Sequence, residues 1–176
     1  MSAQEIIFRR AGTADAALLS RTRQKAWAAT YRGIYPDEWI DNYDFAAQQA
    51  RERARLEDPE YHAYAAMDMD KAVCAGYFSY GPPLHGAYKD FALCLNSLYF
   101  LPEYQRRGLG SRVFALLRQR ARENGLDRFF CGCNLHNRPA RRFYEAMGGR
   151  IGRTDGGHPN RAEDQVYFEF YLGEPK

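Results

Sequence analysis

The chain has 176 residues, of which 45% are hydrophobic and 27% charged, with a net charge of +3. That is the composition of a soluble globular protein; the length suits one sizeable core, and a single domain over 1–176 is expected rather than two. The charge is too small to argue for nucleic acid, and no apolar run approaches the roughly 18 residues of a membrane span.

The N-terminal "MSAQEIIFRR" carries no long apolar region, so no signal peptide is expected. Cys74, Cys94, Cys131 and Cys133 are scattered, which argues against a disulfide framework, and Cys131-Gly-Cys133 has the wrong spacing for a zinc knuckle. No metal is expected, and a reducing cytoplasm is the default location.

"EIIFRRA" reads as a first strand. Thr13 can cap the helix that follows, with Asp15 in its first turn, and the apolar spacing carries that helix to about Trp27. "YRGIYP" is a turn. Pro36 then opens a second helix carrying Trp39, Ile40, Tyr43, Ala47 and Ala50 at helical spacing. "HAYAAMD" and "AVCAGYFSYG" read as two strands around a turn near Asp68 to Lys71, and residues 81–90 as a loop. "FALCLNSLYFL" reads as a buried strand. A helix from Ser111 to about Glu123 buries Val113, Phe114, Leu117 and Ala121 and ends at Asn124-Gly125. "RFFCGC" is a strand. "NRPARRFYEAMGG" is a short helix capped by Asn137, burying Ala140, Phe143 and Met147 and stopped by Gly148-Gly149. "RIGR" and "QVYFEFYL" are strands around a loop at 152–164. This order implies an α/β chain with a mixed sheet.

Two segments carry chemistry. In "YQRRGLGS", a cationic turn with Gly108 and Gly110 stands between a strand and a helix. Glycines permit unusual dihedrals and close approach, the helix end offers free N–H groups and a positive dipole, and Arg106 and Arg107 add charge. The combination reads as a pyrophosphate site. It is neither a Walker loop, since Gly-Lys-Ser/Thr is absent, nor a dinucleotide fingerprint, since position 113 is Val. In the second segment, Asn137 and Tyr144 lie seven residues apart, close to two helical turns, and so share a face. An asparagine amide there can bind a carbonyl or amide, and a tyrosine hydroxyl can donate a proton.

Together these segments resemble the GCN5-related N-acetyltransferase (GNAT) family. "YQRRGLG" matches its Gln/Arg-X-X-Gly-X-Gly/Ala pattern, Asn137 to Gly149 resembles its second signature, and "AWAATYRGIYPDEWID" looks like the first-helix region of many bacterial members. The resemblance implies a mixed, mostly antiparallel central sheet flanked by helices, acetyl-CoA as cosubstrate, and transfer of acetyl to an amine. By position it places the backbone of Leu98, Tyr99 and Phe100 along the pantetheine arm. It places Gln105, Arg106, Arg107, Gly108, Leu109, Gly110 and Ser111 on the pyrophosphate, Asn137 on the pantetheine, and Tyr144 near the thioester sulfur as proton donor. The acceptor, a small-molecule or peptide amine, should lie among the first helices and the loops at 81–90 and 152–164, with Trp27 and Tyr31 as contacts and Tyr35 and Trp39 beside them. Asp37, Glu38 and Asp41 could attract a cationic amine. Many relatives carry a glutamate base near Asn96 or Gly132, and neither position is acidic here; His136 and Glu103 stand near in sequence.

A binding module or sensor that holds acyl-CoA without turnover is the alternative. An RNA-associated module is motivated by Arg112, Arg118, Arg120 and Arg122, which a solvated helix face explains better. Neither nucleic acid nor membrane is expected as a partner, and a homodimer is left open.

Overall fold

The computed structural model describes residues 5–84, 86, 88 and 90–173. Residues 85, 87 and 89 of the expected 81–90 loop, and the first four residues of the N-terminal segment, lie outside the described residues.

Seven strands form one sheet: β1 (Ile6–Arg10), β2 (His62–Asp68), β3 (Val73–Gly81), β4 (Cys94–Phe100), β5 (Arg128–Asn134), β6 (Arg150–Asp155) and β7 (Gln165–Tyr171). Their spatial order is β1-β2-β3-β4-β5-β7-β6. Every pairing is antiparallel except β4 with β5. Five helices cover it: α1 (Ala16–Tyr31), α2 (Asp37–Asp41), α3 (Phe45–Leu56), α4 (Leu109–Glu123) and α5 (Arg138–Ala146).

The period-2 pattern of β3 explains the two layers. Phe78 and Tyr80 join Val113, Phe114 and Leu117 of α4 and Tyr144 of α5 on one face. Tyr77, pointing the other way, joins Leu19 of α1, with Leu56 of α3 packed alongside. In β7, Val166, Phe168 and Phe170 complete the α4–α5 layer and are fully buried. Burying side chains of this size stabilises by about 1.5–3 kcal/mol each.

Several local expectations need correction. Thr13 does not cap the first helix. A single 3-10 turn at Thr13–Asp15 precedes it, and the Asp15 carboxylate accepts the Gly12 N–H at 2.9 Å, fixed in turn by Arg9 at 2.7 Å. Helix α1 runs past Trp27 to Tyr31, because nothing interrupts it before Gly33, whose φ of 85° lies in the left-handed region. The single helix expected after Pro36 is two: it stops at Asn42 and restarts at Asp44, whose side chain accepts the Ala47 N–H at 2.9 Å. Helix α4 begins at Leu109, two residues earlier than expected. In α5 the buried side chain is Tyr144, while Ala140, Phe143 and Met147 are half-buried.

Three of the four arginines singled out on α4 are engaged within the fold, while Arg122 is exposed. Arg112 donates to the Ile6 carbonyl at 2.9 Å and lies over the Phe8 ring. Arg118 donates to the Met147 carbonyl at 2.6 Å, and Arg120 pairs with Glu123 at 2.7 Å.

Candidate active site

Strands β4 and β5 pair only at Cys94–Phe130 and Leu95–Cys131 and then part. Beyond Leu95, the β4 edge that would face β5 is left open. Each of these parallel strands runs directly toward a helix N-terminus, β4 toward α4 and β5 toward α5. A gap at the carboxyl ends of parallel strands, flanked by helix N-termini, is where ligands bind in α/β sheets.

A bulge shapes β4 at this point. Ser79 pairs with Ser97 and Tyr80 with Leu95, so Asn96 is an extra residue with no partner across the ladder. Its amide turns to the loop instead, accepting the Leu84 N–H at 3.2 Å and donating to the Pro82 carbonyl at 3.1 Å. No motif in the sequence marks this bulge; the polar Asn96 inside an apolar strand is its one trace.

The turn after β4 is shaped by backbone hand. Arg106 has φ 60° and Gly108 φ 75°, both left-handed, with Arg107 between them not so. Alternating hand turns successive N–H groups toward one side, making an anion-binding concavity. Gly108 is the N-cap of α4 and has no side chain to satisfy its first N–H groups; the first intrahelical bond there runs from Arg112 to the Gly108 carbonyl at 3.1 Å. Gln105 donates to the Phe100 carbonyl at 3.0 Å, tying the turn to the end of β4, and the Arg107 guanidinium lies 5.2 Å from the Tyr104 ring centroid. The two glycines serve different ends. Around Gly108 there is open space, so its requirement is conformational. At Gly110 a Cβ would come within 2.6 Å of the Phe143 ring, so its requirement is the close packing of α4 on α5. Leu109 buries its side chain with Tyr104 and Ile6, which leaves only its backbone to the turn. Ser111 is exposed on the first turn of α4.

At the start of α5, the Asn137 side-chain oxygen Oδ1 accepts the Ala140 N–H at 3.2 Å, as an N-cap should. The Tyr144 ring packs among Phe114, Phe143 and Phe168. Burial pushes its phenol well above the usual pKa, with Cys131, Cys133, Tyr31 and Tyr99 around it adding to the shift. Tyr144 therefore keeps its proton throughout the physiological range. Burial likewise raises Tyr31, aided by Tyr99 and Tyr35 and opposed by the Asn137 amide, so the first helix and α5 meet here.

A cavity of about 370 Å³ opens beside the β4–β5 parting. Trp27, Tyr31, Tyr35 and Tyr99 line it as expected of the first three, whereas Trp39 is 47% exposed and takes no part. The loop at 81–90 contributes Pro83 and Leu84; the loop at 152–164 contributes nothing, its place taken by Gln165 and Tyr167 of β7. Leu98, Phe100, the 105–111 turn, Asn137 and Tyr144 lie outside this lining. The expected acidic attraction also fails. Asp37 and Asp41 sit on the surface, each paired with Arg32, and neither they nor Glu38 reach the cavity. His136 is bound to Asp164 at 2.6 Å and Glu103 is exposed on a 3-10 turn, so neither base candidate lines it either.

Both positions where the resemblance suggested a glutamate are at the cavity, and each has a physical reason to be otherwise. Asn96 holds the 82–84 loop. At Gly132 a Cβ would come within 2.9 Å of the Tyr167 ring, which lies against it. The thiols of Cys94 and Cys133, also in the lining, are pushed up to about 12 by burial. At pH 7 both stay thiols, not the nucleophilic thiolate. Among the described residues, no three His, Cys, Asp or Glu side chains gather to hold a metal ion.

The family model for the acetyltransferase (GNAT) family matches residues 24–149, which spans β2 to β5, the glycine turn and α5. The chain belongs to the acetyltransferase (GNAT) family. Solved structures share its fold across nearly their full length. One is a protein of Desulfovibrio desulfuricans described as a GNAT-family acetyltransferase, at 24% identity and TM-score 0.69, covering 96% of this chain and 100% of that one. The PaiA N-acetyltransferase of Thermoplasma acidophilum, solved with coenzyme A, aligns at 19% identity and TM-score 0.72, over 95% of this chain and 99% of its own. YncA of Salmonella typhimurium, described as an acetyltransferase and solved with acetyl-CoA, aligns at 21% identity and TM-score 0.67, over 98% and 96%. No curated protein matches the chain. No described helix of this GNAT chain is long and apolar enough to cross a membrane.

Proposed function

We propose that this GNAT chain is an N-acetyltransferase that moves acetyl from acetyl-CoA to the primary amine of a small molecule or peptide, by direct attack with both substrates bound. The observation that carries this reading is the parting of β4 from β5 beside the glycine turn. It leaves a bare strand edge for an amide-bearing arm, with Tyr99 of that edge in the lining of the aromatic cavity, and the turn after the same strand offers N–H groups for phosphates. Coenzyme A complexes of GNAT-fold relatives support the same cosubstrate.

In this reading the β4 edge at Leu98, Tyr99 and Phe100 takes the pantetheine amides as an added strand would. The backbone from Gln105 to Ser111 holds the pyrophosphate, with Arg106 and Arg107 adding charge, and Asn137 meets the pantetheine arm. The thioester supplies an activated acyl carbon. The amine's lone pair attacks that carbon, an N–H of the β4 edge stabilises the oxyanion, and the C–S bond breaks. The departing sulfur gains a proton from Tyr144, and the extra proton on nitrogen passes through water to restore the Tyr144 hydroxyl. Transfer from a phenol near 10 to a thiol near 8.5 is uphill by roughly 2 kcal/mol, and burial of Tyr144 adds to that. Tyr144 thus acts first as a hydrogen-bond donor, its proton moving late. The deeply protonated Cys94 and Cys133 argue against an acyl-cysteine relay, which favours direct attack. A lysine-like amine costs about 4.6 kcal/mol to be neutral at pH 7 and an α-amine about 1 kcal/mol, so with no carboxylate in the described lining an amine of low pKa is favoured. We place the enzyme in the cytoplasm, consistent with four unpaired cysteines. With Arg112, Arg118 and Arg120 held by the fold, the exposed Arg122 alone gives an RNA role no support.

The test is thiol release from acetyl-CoA across a panel of amines. Turnover with any amine supports the enzyme. Tight coenzyme A binding with no turnover on the whole panel would establish the sensor reading in its place.

A further inference from the structure

The described lining of the cavity contains two cations, Arg23 and Arg55, and no carboxylate. Arg23 reaches in from the middle of α1, with its guanidinium 5.7 Å from the Tyr99 ring centroid. Its Nε is buried with no hydrogen-bond partner among the described residues. Burial works against its charge, yet the net shift is upward, with the Glu52 carboxylate among the groups that favour the cation, so Arg23 stays charged. Arg55, on α3, faces Glu52 at 3.6 Å, longer than a hydrogen bond. Glu52 is itself 1% exposed and already accepts the Tyr61 hydroxyl at 2.9 Å. One buried carboxylate therefore stands against two cations, and the surplus positive charge borders the cavity. A partly buried guanidinium with unused donors is a site for a planar anion, since its fork matches a carboxylate.

We propose that the acceptor amine carries a carboxylate of its own, which Arg23 and Arg55 bind while the rest of the molecule lies against Trp27, Tyr31 and Tyr35. This rests on the acetyl-transfer reading above and names its substrate class. About 370 Å³ holds a molecule of amino-acid size. A polyamine or aminoglycoside would bring further positive charge to two arginines and is selected against. Aromatic walls around one charged end suit a molecule with an apolar body and a single anionic group. The arginines come from α1 and α3, outside the segments that carry the family resemblance, which is why no sequence pattern announces them.

The experiment compares acids with their own amides. Thiol release from acetyl-CoA is measured with L-phenylalanine and 4-aminobutyrate, with L-phenylalaninamide and 4-aminobutyramide, and with spermidine, each kcat/KM referred to the neutral amine. At least one acid should exceed its amide by roughly tenfold or more, the scale of a lost charge-assisted pair. Arg23→Gln and Arg55→Gln should raise KM for the acid toward that of the amide, with coenzyme A affinity by calorimetry unchanged. Arg23→Lys, which keeps the charge, should retain part of the preference. Should Arg23→Gln not fold, the wild-type panel and Arg55→Gln decide alone. Equal rates for acid and amide, or faster turnover of spermidine, overturn the carboxylate proposal while leaving acetyl transfer standing. Coenzyme A binding with no turnover of any amine overturns acetyl transfer, and this proposal with it.

Discussion

The turn at residues 104–111 and the cavity lined by Arg23, Trp27 and Tyr167 both border β4, yet they are assembled in different ways. The turn is a run of consecutive residues: Gln105 reaches back to Phe100, Arg106 and Gly108 set the backbone hand, and Gly108 leaves the helix end open. The cavity draws on α1 and the segment after it, α3, the loop after β3, β4, β5 and β7, and no run of lining residues is longer than the four of the bulged stretch of β4. A site for a shared chemical group can be carried by one short segment. A site for a particular acceptor is made by whichever side chains the fold delivers to the gap.

That contrast is open to direct tests. The largest expected effect is at Tyr144, on the proposed cofactor side. Tyr144→Phe keeps the ring against Phe114 and Phe168 but removes the hydroxyl, and kcat should fall roughly 10²-fold or more. The loss should be the same for every acceptor and should shrink with an acyl donor whose thiol is more acidic. A deficit that varied with the acceptor instead would assign Tyr144 to the cavity.

Next come the two glycines, which separate conformation from packing. Gly108→Val meets no neighbour but must hold a left-handed φ, so coenzyme A affinity should drop about tenfold or more with a modest loss in melting temperature. Gly110→Val drives into the Phe143 ring, and overpacking of this kind costs about 1–3 kcal/mol, so melting temperature and affinity should fall together. Calorimetry with thermal melts on both variants checks the split; unchanged affinity in a folded Gly108→Val would remove the pyrophosphate assignment.

On the acceptor side, Asn96→Ala releases both hydrogen bonds to the 82–84 loop. KM for the acceptor should rise several-fold, in line with about 1 kcal/mol for the lost positioning, while coenzyme A affinity stays unchanged. A change in coenzyme A binding alone would show that the loop serves the other substrate.

The smallest effect lies outside both regions. Asp164 joins His136 at 2.6 Å and His158 at 2.9 Å, bracing the loop before β7 against the approach to α5. The hydrogen bonds from His136 and His158 hold the Asp164 carboxyl below its usual range, and its bond to Asp164 raises His158. A raised histidine contributes stability that is fully present below its unfolded pKa, near 6.5, and is lost as pH rises through the folded value. A lowered carboxylate contributes above its unfolded pKa, near 3.9, and is lost as pH falls through the folded value. The pair is thus strongest between about pH 4 and 6.5. The melting-temperature difference between wild type and His158→Gln should be largest near pH 5.5 and shrink by pH 8.5, with the constants for coenzyme A and acceptor unmoved. A difference that is flat with pH would show that the contact contributes without its charge.

The sequence by itself determined the order of the strands and of the helices other than the pair after Pro36, the left-handed turn ahead of α4, the cap at Asn137 and the family, because each rests on short-range pattern. Alternation in β3 and β7 follows from the pleat, glycine at 108 from the missing Cβ, and the cap at Asn137 from its place before a short helix. The break at Asn42 to Asp44 was legible too, in an aspartate placed to cap, but the apolar spacing running across it hid the signal. Only the tertiary structure decided the rest. The bulge at Asn96 needs β3 as a partner before a residue can be extra. The role of Gly110 needs Phe143 from another helix, and that of Gly132 needs Tyr167 from another strand. The aspartates of α2, readable as bait for a cation, are spent on Arg32, while Arg23 and Arg55, which no motif marks, carry the charge of the cavity. Charge in a sequence has no direction until packing aims it, and the gap between β4 and β5 is filled by side chains that lie far apart along the chain.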